Sequence, residues 1–95
     1  MRIRWAGPAL GDLESIRAFI ETDDLRAARK VVLAILEAVE RLDTTPWIGR
    51  PGRQPGCREL VLGPVPFIVA YRVRSETVEV LRVLHTSRRW PRRLQ

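Results

Sequence analysis

The chain has 95 residues, of which 45% are hydrophobic and 29% are charged, and its formal net charge is +6. These values are typical of one globular domain over residues 1–95 and exclude a disordered chain. No stretch approaches the roughly 20 apolar residues of a membrane span, and the first residues lack the apolar core of a signal peptide. We therefore expect a cytoplasmic protein without a membrane partner.

The residue types also restrict the chemistry. One cysteine, Cys57, and one histidine, His85, cannot supply an internal disulfide or the soft ligands of a zinc site, so we expect no metal and no cofactor. The charge is divided unevenly, because residues 1–43 carry a net charge of −1 and residues 44–95 a net charge of +7. Both a solvated basic face and a binding surface for an anionic partner are consistent with this division.

The first half predicts one strand and two helices. Residues 2–6 alternate between polar and apolar and predict a short strand at or near a sheet edge. Pro8 then begins a segment with apolar residues at helical spacing, which predicts an amphipathic helix over about residues 8–21. Asp23 and Asp24 interrupt this pattern and can cap a second, longer helix that reaches about residue 44. Two such helices joined by a tight turn form an antiparallel hairpin.

The second half predicts a loop and three strands. Residues 46–56 contain three prolines and three glycines, which predict a shaped loop. The segments 57–62, 67–73 and 77–84 predict a three-stranded meander. The expected fold is therefore α/β (α+β), with an N-terminal strand and a helical hairpin packed on a twisted antiparallel sheet that the C-terminal meander completes. Tyr71 and Trp47 are expected in the core.

The C-terminal segment follows the last predicted strand with no acidic residue after Glu79. Trp90, followed by Pro91, is predicted to fold back on the open face of the sheet. The basic side chains near it are candidates for contact with a target surface. This candidate target-binding set consists of Arg88, Arg89, Trp90, Arg92 and Arg93.

Five short motifs follow one another along the chain, and their order and spacing are informative. They are Ala9 with Asp12-Leu13 and Ile16, Pro46 with Gly49-Arg50-Pro51-Gly52, Cys57-Arg58-Glu59-Leu60, the strand from Phe67 to Val73, and Val83-Leu84-His85 with Arg88 and Trp90-Pro91. This order resembles the RelE/ParE superfamily of toxins from type II toxin-antitoxin systems. The resemblance implies a compact toxin that a cognate antitoxin, ParD-like or RelB-like with an acidic C-terminal segment, wraps and neutralises.

The resemblance leaves two target classes. ParE-like members poison DNA gyrase, and RelE-like members cleave messenger RNA in the ribosome. The nuclease members place basic side chains along the second strand and an arginine where the third begins, whereas this chain has Leu60-Val61-Leu62 and Pro66-Phe67-Ile68 there. The sequence is therefore closer to ParE, and the gyrase inhibitor is the first expectation. A ribosome-dependent endoribonuclease and a basic nucleic-acid-binding module are the alternatives.

The nuclease alternative defines its own candidate residues. RNA cleavage needs an acid, a base and positive charge on the phosphate. His85 can serve as acid or base and Glu59 as base, and the phosphate could be held by Arg58, Arg72 and Arg88. The simpler interpretation is that His85 is a structural residue at a strand end and that Glu59 pairs across the sheet with Arg58 or in the neighbourhood of Arg72.

Overall fold

The computed structural model of the chain describes residues 1–94. Strand β1 (Arg2–Trp5) is followed by helices α1 (Gly7–Glu21) and α2 (Leu25–Glu40) and by a 3₁₀ turn (Arg41–Asp43). Pro8 lies in the first turn of α1, where its missing N–H costs no helical hydrogen bond. The Asp24 carboxylate caps α2 by accepting hydrogen bonds from the backbone N–H groups of Arg26 (2.9 Å) and Ala27 (3.1 Å). The second helix was predicted to reach about residue 44, but its α-helical part ends at Glu40 and the 3₁₀ turn follows.

The sheet has five strands in the order β1-β5-β4-β3-β2. The C-terminal strands are β2 (Arg50–Pro51), β3 (Arg58–Val61), β4 (Phe67–Arg74) and β5 (Thr77–His85). β2 to β5 pair in antiparallel fashion, as the meander predicts, and β2 is an additional short strand. β1 lies at the sheet edge, as predicted, but it is parallel to β5 because the helical hairpin returns the chain across one face. The predicted fold class is confirmed, and the sheet is mixed.

Each face of the sheet carries an apolar cluster. The helix-side cluster contains Ile35, Val39 and Leu42 from the helical segment together with sheet residues such as Val69 and Tyr71. The tail-side cluster consists of Cys57, Ala70, Leu81 and Leu94, with Leu84 and Trp90 packed against it. The prediction that Trp90 covers the open face is therefore confirmed.

Two aromatic residues expected in the core have different environments. Tyr71 is fully buried, as predicted, whereas Trp47 is 60% exposed, so that its assignment to the core is wrong. The Trp47 ring instead lies beneath the Arg58 guanidinium, whose carbon is 4.9 Å from the ring centroid. Among the described residues, neither helix combines the length and the apolar composition needed to cross a membrane.

Candidate functional site

The segment after β5, residues 86–94, forms the tail. Its four arginines, Arg88, Arg89, Arg92 and Arg93, are all exposed, whereas Leu94 is only 4% exposed. The indole Nε1 of Trp90 donates a hydrogen bond to the His85 carbonyl oxygen at 3.3 Å. The predicted target-binding residues thus lie on a segment that folds over the sheet, with the positive charges directed to solvent.

A groove of about 530 Å³ separates α1 from the end of β5 and the beginning of the tail. Ile16, Phe19 and Phe67 give the groove an apolar lining, and Arg88 and Arg89 lie at its tail side. Phe19 is 67% exposed, and the Arg88 guanidinium carbon lies 5.8 Å from its ring centroid. Sequence reasoning did not identify Phe19 as a surface residue of interest. Its only signal was an aromatic side chain outside the apolar stripe of the first helix.

Asp12 fixes α1 in the position that forms this groove. Its carboxylate accepts hydrogen bonds from Arg82 Nε (2.6 Å) and Nη2 (2.8 Å) and from the Val83 backbone N–H (2.9 Å). Hydrogen bonding to Asp12 raises the pKa of Arg82 above its ordinary value, against the opposing effect of burial. This bidentate pair connects helix to strand across 70 residues of sequence.

The His85 ring is held by its neighbours. Its Nδ1 accepts a hydrogen bond from the Ser87 backbone N–H at 3.1 Å and lies 2.9 Å from the Ser87 hydroxyl. Its ring contacts Phe67 edge-on, with a centroid distance of 5.3 Å and an interplanar angle of 83°. Because one ring nitrogen is used to shape the turn into the tail, these contacts favour a structural role for His85.

Glu59 is the one buried charged residue among those described, with 2% of its side chain exposed. Its carboxylate accepts hydrogen bonds from the Arg53 backbone N–H at 2.8 Å and from Arg50 Nη2 at 3.2 Å, and Arg53 Nε lies 3.8 Å away. The alternative expectation that Glu59 pairs with Arg58 or with the surroundings of Arg72 differs from these contacts. Its partners are Arg50 on β2 and Arg53 just after it, because β2 pairs with β3 directly beside Glu59.

The structure does not bring His85 and Glu59 together. Glu59 pairs with Ala70, a residue of the tail-side cluster, whereas His85 pairs with Phe67, a residue of the helix-side cluster. Directly paired residues of adjacent strands share a face, so the two side chains lie on opposite faces and two strands apart. They cannot act as an acid and base pair on one phosphate in this arrangement.

The arginines proposed to hold a phosphate are also separated. Arg58 Nη1 donates hydrogen bonds to the carbonyl oxygens of Trp47 (3.1 Å) and Gly49 (2.7 Å). Arg72 Nε donates to the Glu79 carboxylate at 2.5 Å, and Arg4 pairs with the same carboxylate. Of the five nuclease candidates, only His85 and Arg88 line the same groove.

Comparison with known proteins relates the whole chain to toxins. The pattern of the family described as "ParE toxin of type II toxin-antitoxin system, parDE" matches residues 3–90. The chain is 49% identical over 90 residues to "Putative toxin Y4kP" of Sinorhizobium fredii (strain NBRC 101917 / NGR234), an alignment that covers 95% of this chain and 93% of that protein.

Two solved structures share the fold. The chromosomal ParDE toxin-antitoxin system from P. aeruginosa contains a chain that is 30% identical, with a TM-score of 0.81 and coverage of 92% of this chain and 97% of that chain. The toxin-antitoxin complex RelBE2 from Mycobacterium tuberculosis contains one that is 24% identical, with a TM-score of 0.67 and coverage of 88% and 95%. The second likeness concerns the fold alone. Since the family pattern spans nearly all of the sequence and the ParE-like structure superposes along its length, this chain belongs to the ParE toxin family of type II toxin-antitoxin systems.

Proposed function

We propose that this toxin inhibits DNA gyrase in the cytoplasm, that the four exposed tail arginines contact the target, and that it hydrolyses nothing itself. The observation that carries the proposal is the separation of His85 and Glu59 on opposite faces of the sheet. Arg58 and Arg72 are engaged by backbone carbonyls and by Glu79. A ribonuclease of this size would need these groups around one phosphate.

The proposal is tested by comparing two assays on purified toxin. We expect the toxin to inhibit supercoiling by gyrase and to leave messenger RNA intact in a reconstituted ribosome assay. His85→Ala is expected to retain inhibition, since the contacts of His85 are structural. Replacement of Arg88, Arg89, Arg92 and Arg93 together by Gln is expected to abolish it.

Charge substitution is the suitable test of the tail, because truncation after Ser87 would remove Trp90 and Leu94 from the tail-side cluster and destabilise the fold. Codon-specific cleavage that His85→Ala abolishes would contradict the gyrase proposal and support the ribosome-dependent nuclease. Undiminished gyrase inhibition by the folded four-arginine variant would exclude the tail from target binding.

We further propose that a cognate antitoxin binds the groove between α1 and the tail with an amphipathic helix. The groove offers an apolar lining that includes Ile16 and Phe19, with Arg88 and Arg89 beside it. This combination is complementary to a helix with one apolar face and flanking acidic side chains. The comparison structures are of toxin-antitoxin complexes, which supports a partner of this kind.

An antitoxin strand can also extend the sheet. β2 pairs with β3 only at Arg58 and Glu59, so within residues 1–94 the outer edge of β3 at Leu60 and Val61 has no strand partner. Val61 is 47% exposed, which leaves an apolar side chain on this open edge. Because Arg88 and Arg89 belong to both the groove and the tail, an antitoxin in the groove would cover part of the proposed target-binding surface.

Co-expression with the product of a neighbouring reading frame tests the antitoxin proposal. We expect a tight complex that Phe19→Ala weakens by at least about tenfold, since an exposed aromatic in a groove is a typical anchor. Leu33→Ala is the control, because Leu33 is similarly exposed at 56% but lies outside the groove. Equal affinities of both variants would exclude the groove as the binding site.

A further inference from the structure

The tail packs against the sheet although it carries four exposed arginines. Leu94 packs with Cys57, Ala70 and Leu81 on the face of the sheet opposite the helices, and Trp90 packs beside them. These contacts hold the tail at two points, Trp90 and Leu94. The arginine pairs Arg88–Arg89 and Arg92–Arg93 flank the first point, so their positions depend on how Trp90 is held.

Residues 50–54, which comprise β2 and the turn after it and are called the 50–54 loop here, contact the tail from outside. The Arg53 guanidinium carbon lies 3.7 Å from the centroid of the Trp90 ring. The side-chain amide of Gln54 donates to the Arg92 carbonyl oxygen at 2.5 Å, and its oxygen accepts from the Leu94 backbone N–H at 3.4 Å. Both ends of one side-chain amide are therefore used to fix the tail backbone.

Glu59 in turn fixes this loop. Its buried carboxylate accepts from the Arg53 backbone N–H and from Arg50 Nη2, and it lies within ion-pair distance of Arg53 Nε. A buried carboxylate is tolerated only where such partners compensate its lost hydration, so the loop must close over Glu59 to satisfy it. A continuous series of contacts thus connects Glu59 to Arg53, Arg53 to Trp90, and Trp90 to the tail arginines.

We infer that Glu59 is a positioning residue for the target-binding surface, acting through Arg53 and Gln54 to keep the tail in one conformation. This inference rests on the proposed function, because it concerns the arginines proposed to contact gyrase. A tail ordered before binding loses less conformational entropy when it meets the target, so release of the tail would weaken inhibition without removing any arginine. Glu59, the candidate catalytic base of the nuclease alternative, then serves to position the tail.

Limited trypsin digestion tests whether Glu59 holds the tail, because four arginines provide cleavage sites within it. Glu59→Gln and Gln54→Ala are each expected to raise the cleavage rate in the tail at least about tenfold, since proteolysis follows the population of the open form. Glu79→Gln is the matched control: its carboxylate also pairs with two arginines, but these partners, Arg72 and Arg4, lie on β4 and β1, and Glu79 does not line the groove. A folded Glu59→Gln toxin with wild-type tail cleavage would overturn the inference.

The gyrase supercoiling assay tests whether the conformation of the tail affects inhibition. It also distinguishes a failure of this inference from a failure of the proposed function. Glu59→Gln and Gln54→Ala are expected to require about tenfold more toxin for half-inhibition, whereas Glu79→Gln is expected to match the wild type. Wild-type inhibition by a variant whose tail is cleaved faster would overturn the positioning role and leave the proposed function intact. If the wild-type toxin does not inhibit gyrase, the proposed function fails, and the digestion still decides whether Glu59 holds the tail.

Discussion

Glu59 shows that the chemical type of a residue does not predict which other residues it lies beside in the fold. Glu59 and His85 were named from the sequence as the candidate base and acid of the nuclease alternative. Their separation depends on strand register and on the return of the 50–54 loop, which are set by contacts between distant parts of the chain. Trp47 was assigned to the core because its side chain is apolar. Its ring instead packs against the Arg58 guanidinium, a contact that depends on how distant parts of the chain fold together.

The Tyr71 hydroxyl supports a residue-scale prediction about stability. It accepts a hydrogen bond from the Gly49 N–H at 2.9 Å and donates one to the Pro46 carbonyl oxygen at 2.7 Å, and both bonds are buried. Tyr71→Phe leaves two buried backbone groups without this partner, so we expect a loss of about 2 kcal/mol in the free energy of unfolding. Urea denaturation at neutral pH measures it. A loss below about 0.5 kcal/mol would contradict the importance of these bonds.

The same hydroxyl gives a prediction about alkaline pH. Burial raises the pKa of Tyr71, although the Gly49 N–H and the Arg58 charge act in the opposite direction. The unfolded chain therefore releases this proton first, near pH about 10, and the contribution to stability is present below that pH and is lost as the pH rises through the raised pKa. Because Tyr71 is the only tyrosine, Tyr71→Phe should show a smaller loss of stability between neutral and alkaline pH. Equal losses in both proteins would contradict it.

At the scale of elements, local sequence signals predicted the helices and most of the strands, but they did not specify which strands pair. The Asp24 cap and the helical spacing of apolar residues predicted α2, because both signals lie within the segment itself. β2 was not predicted, since two residues that include Pro51 give no alternating pattern. The parallel pairing of β1 with β5 joins segments more than 70 residues apart, which no local pattern specifies.

The turn between β4 and β5 supports an element-scale prediction. Ser75 and Glu76 have φ angles of 49° and 58°, in the left-handed region that side chains other than glycine adopt at a cost of about 1–2 kcal/mol. Glu76→Gly should remove much of this cost and stabilise the protein by about 0.5–1 kcal/mol, after the greater freedom of glycine in the unfolded chain is subtracted. Thermal denaturation measures it. Glu76→Ala is the control, because it removes the same side chain and keeps the strain, and equal stability of the two variants would contradict the backbone explanation.

At the scale of the whole molecule, the sequence anticipated where the charge lies and that Trp90 folds back. It did not indicate that the 50–54 loop would hold the tail, because this contact depends on Gln54 and Arg53 meeting residues about 40 positions later. The tail is therefore a part of the folded body that carries the basic surface. Its arginines are exposed because the apolar residues between and after them occupy the tail-side cluster.

This distribution of charge leads to a prediction about how the toxin associates with its antitoxin. The second half of the chain carries a net charge of +7, and the tail places Arg88 and Arg89 at the groove proposed to bind the antitoxin. Association with an acidic partner should be steered electrostatically, so that the rate constant falls at least about tenfold when salt rises from low to physiological concentration. Stopped-flow measurements on the product of the neighbouring reading frame would show this dependence. Replacement of Arg88 and Arg89 by Gln should reduce the salt dependence, whereas replacement of Arg26 and Arg29 on α2, which lie outside the groove, should preserve it. A rate constant independent of salt would show that the basic half of the chain does not guide association with the antitoxin.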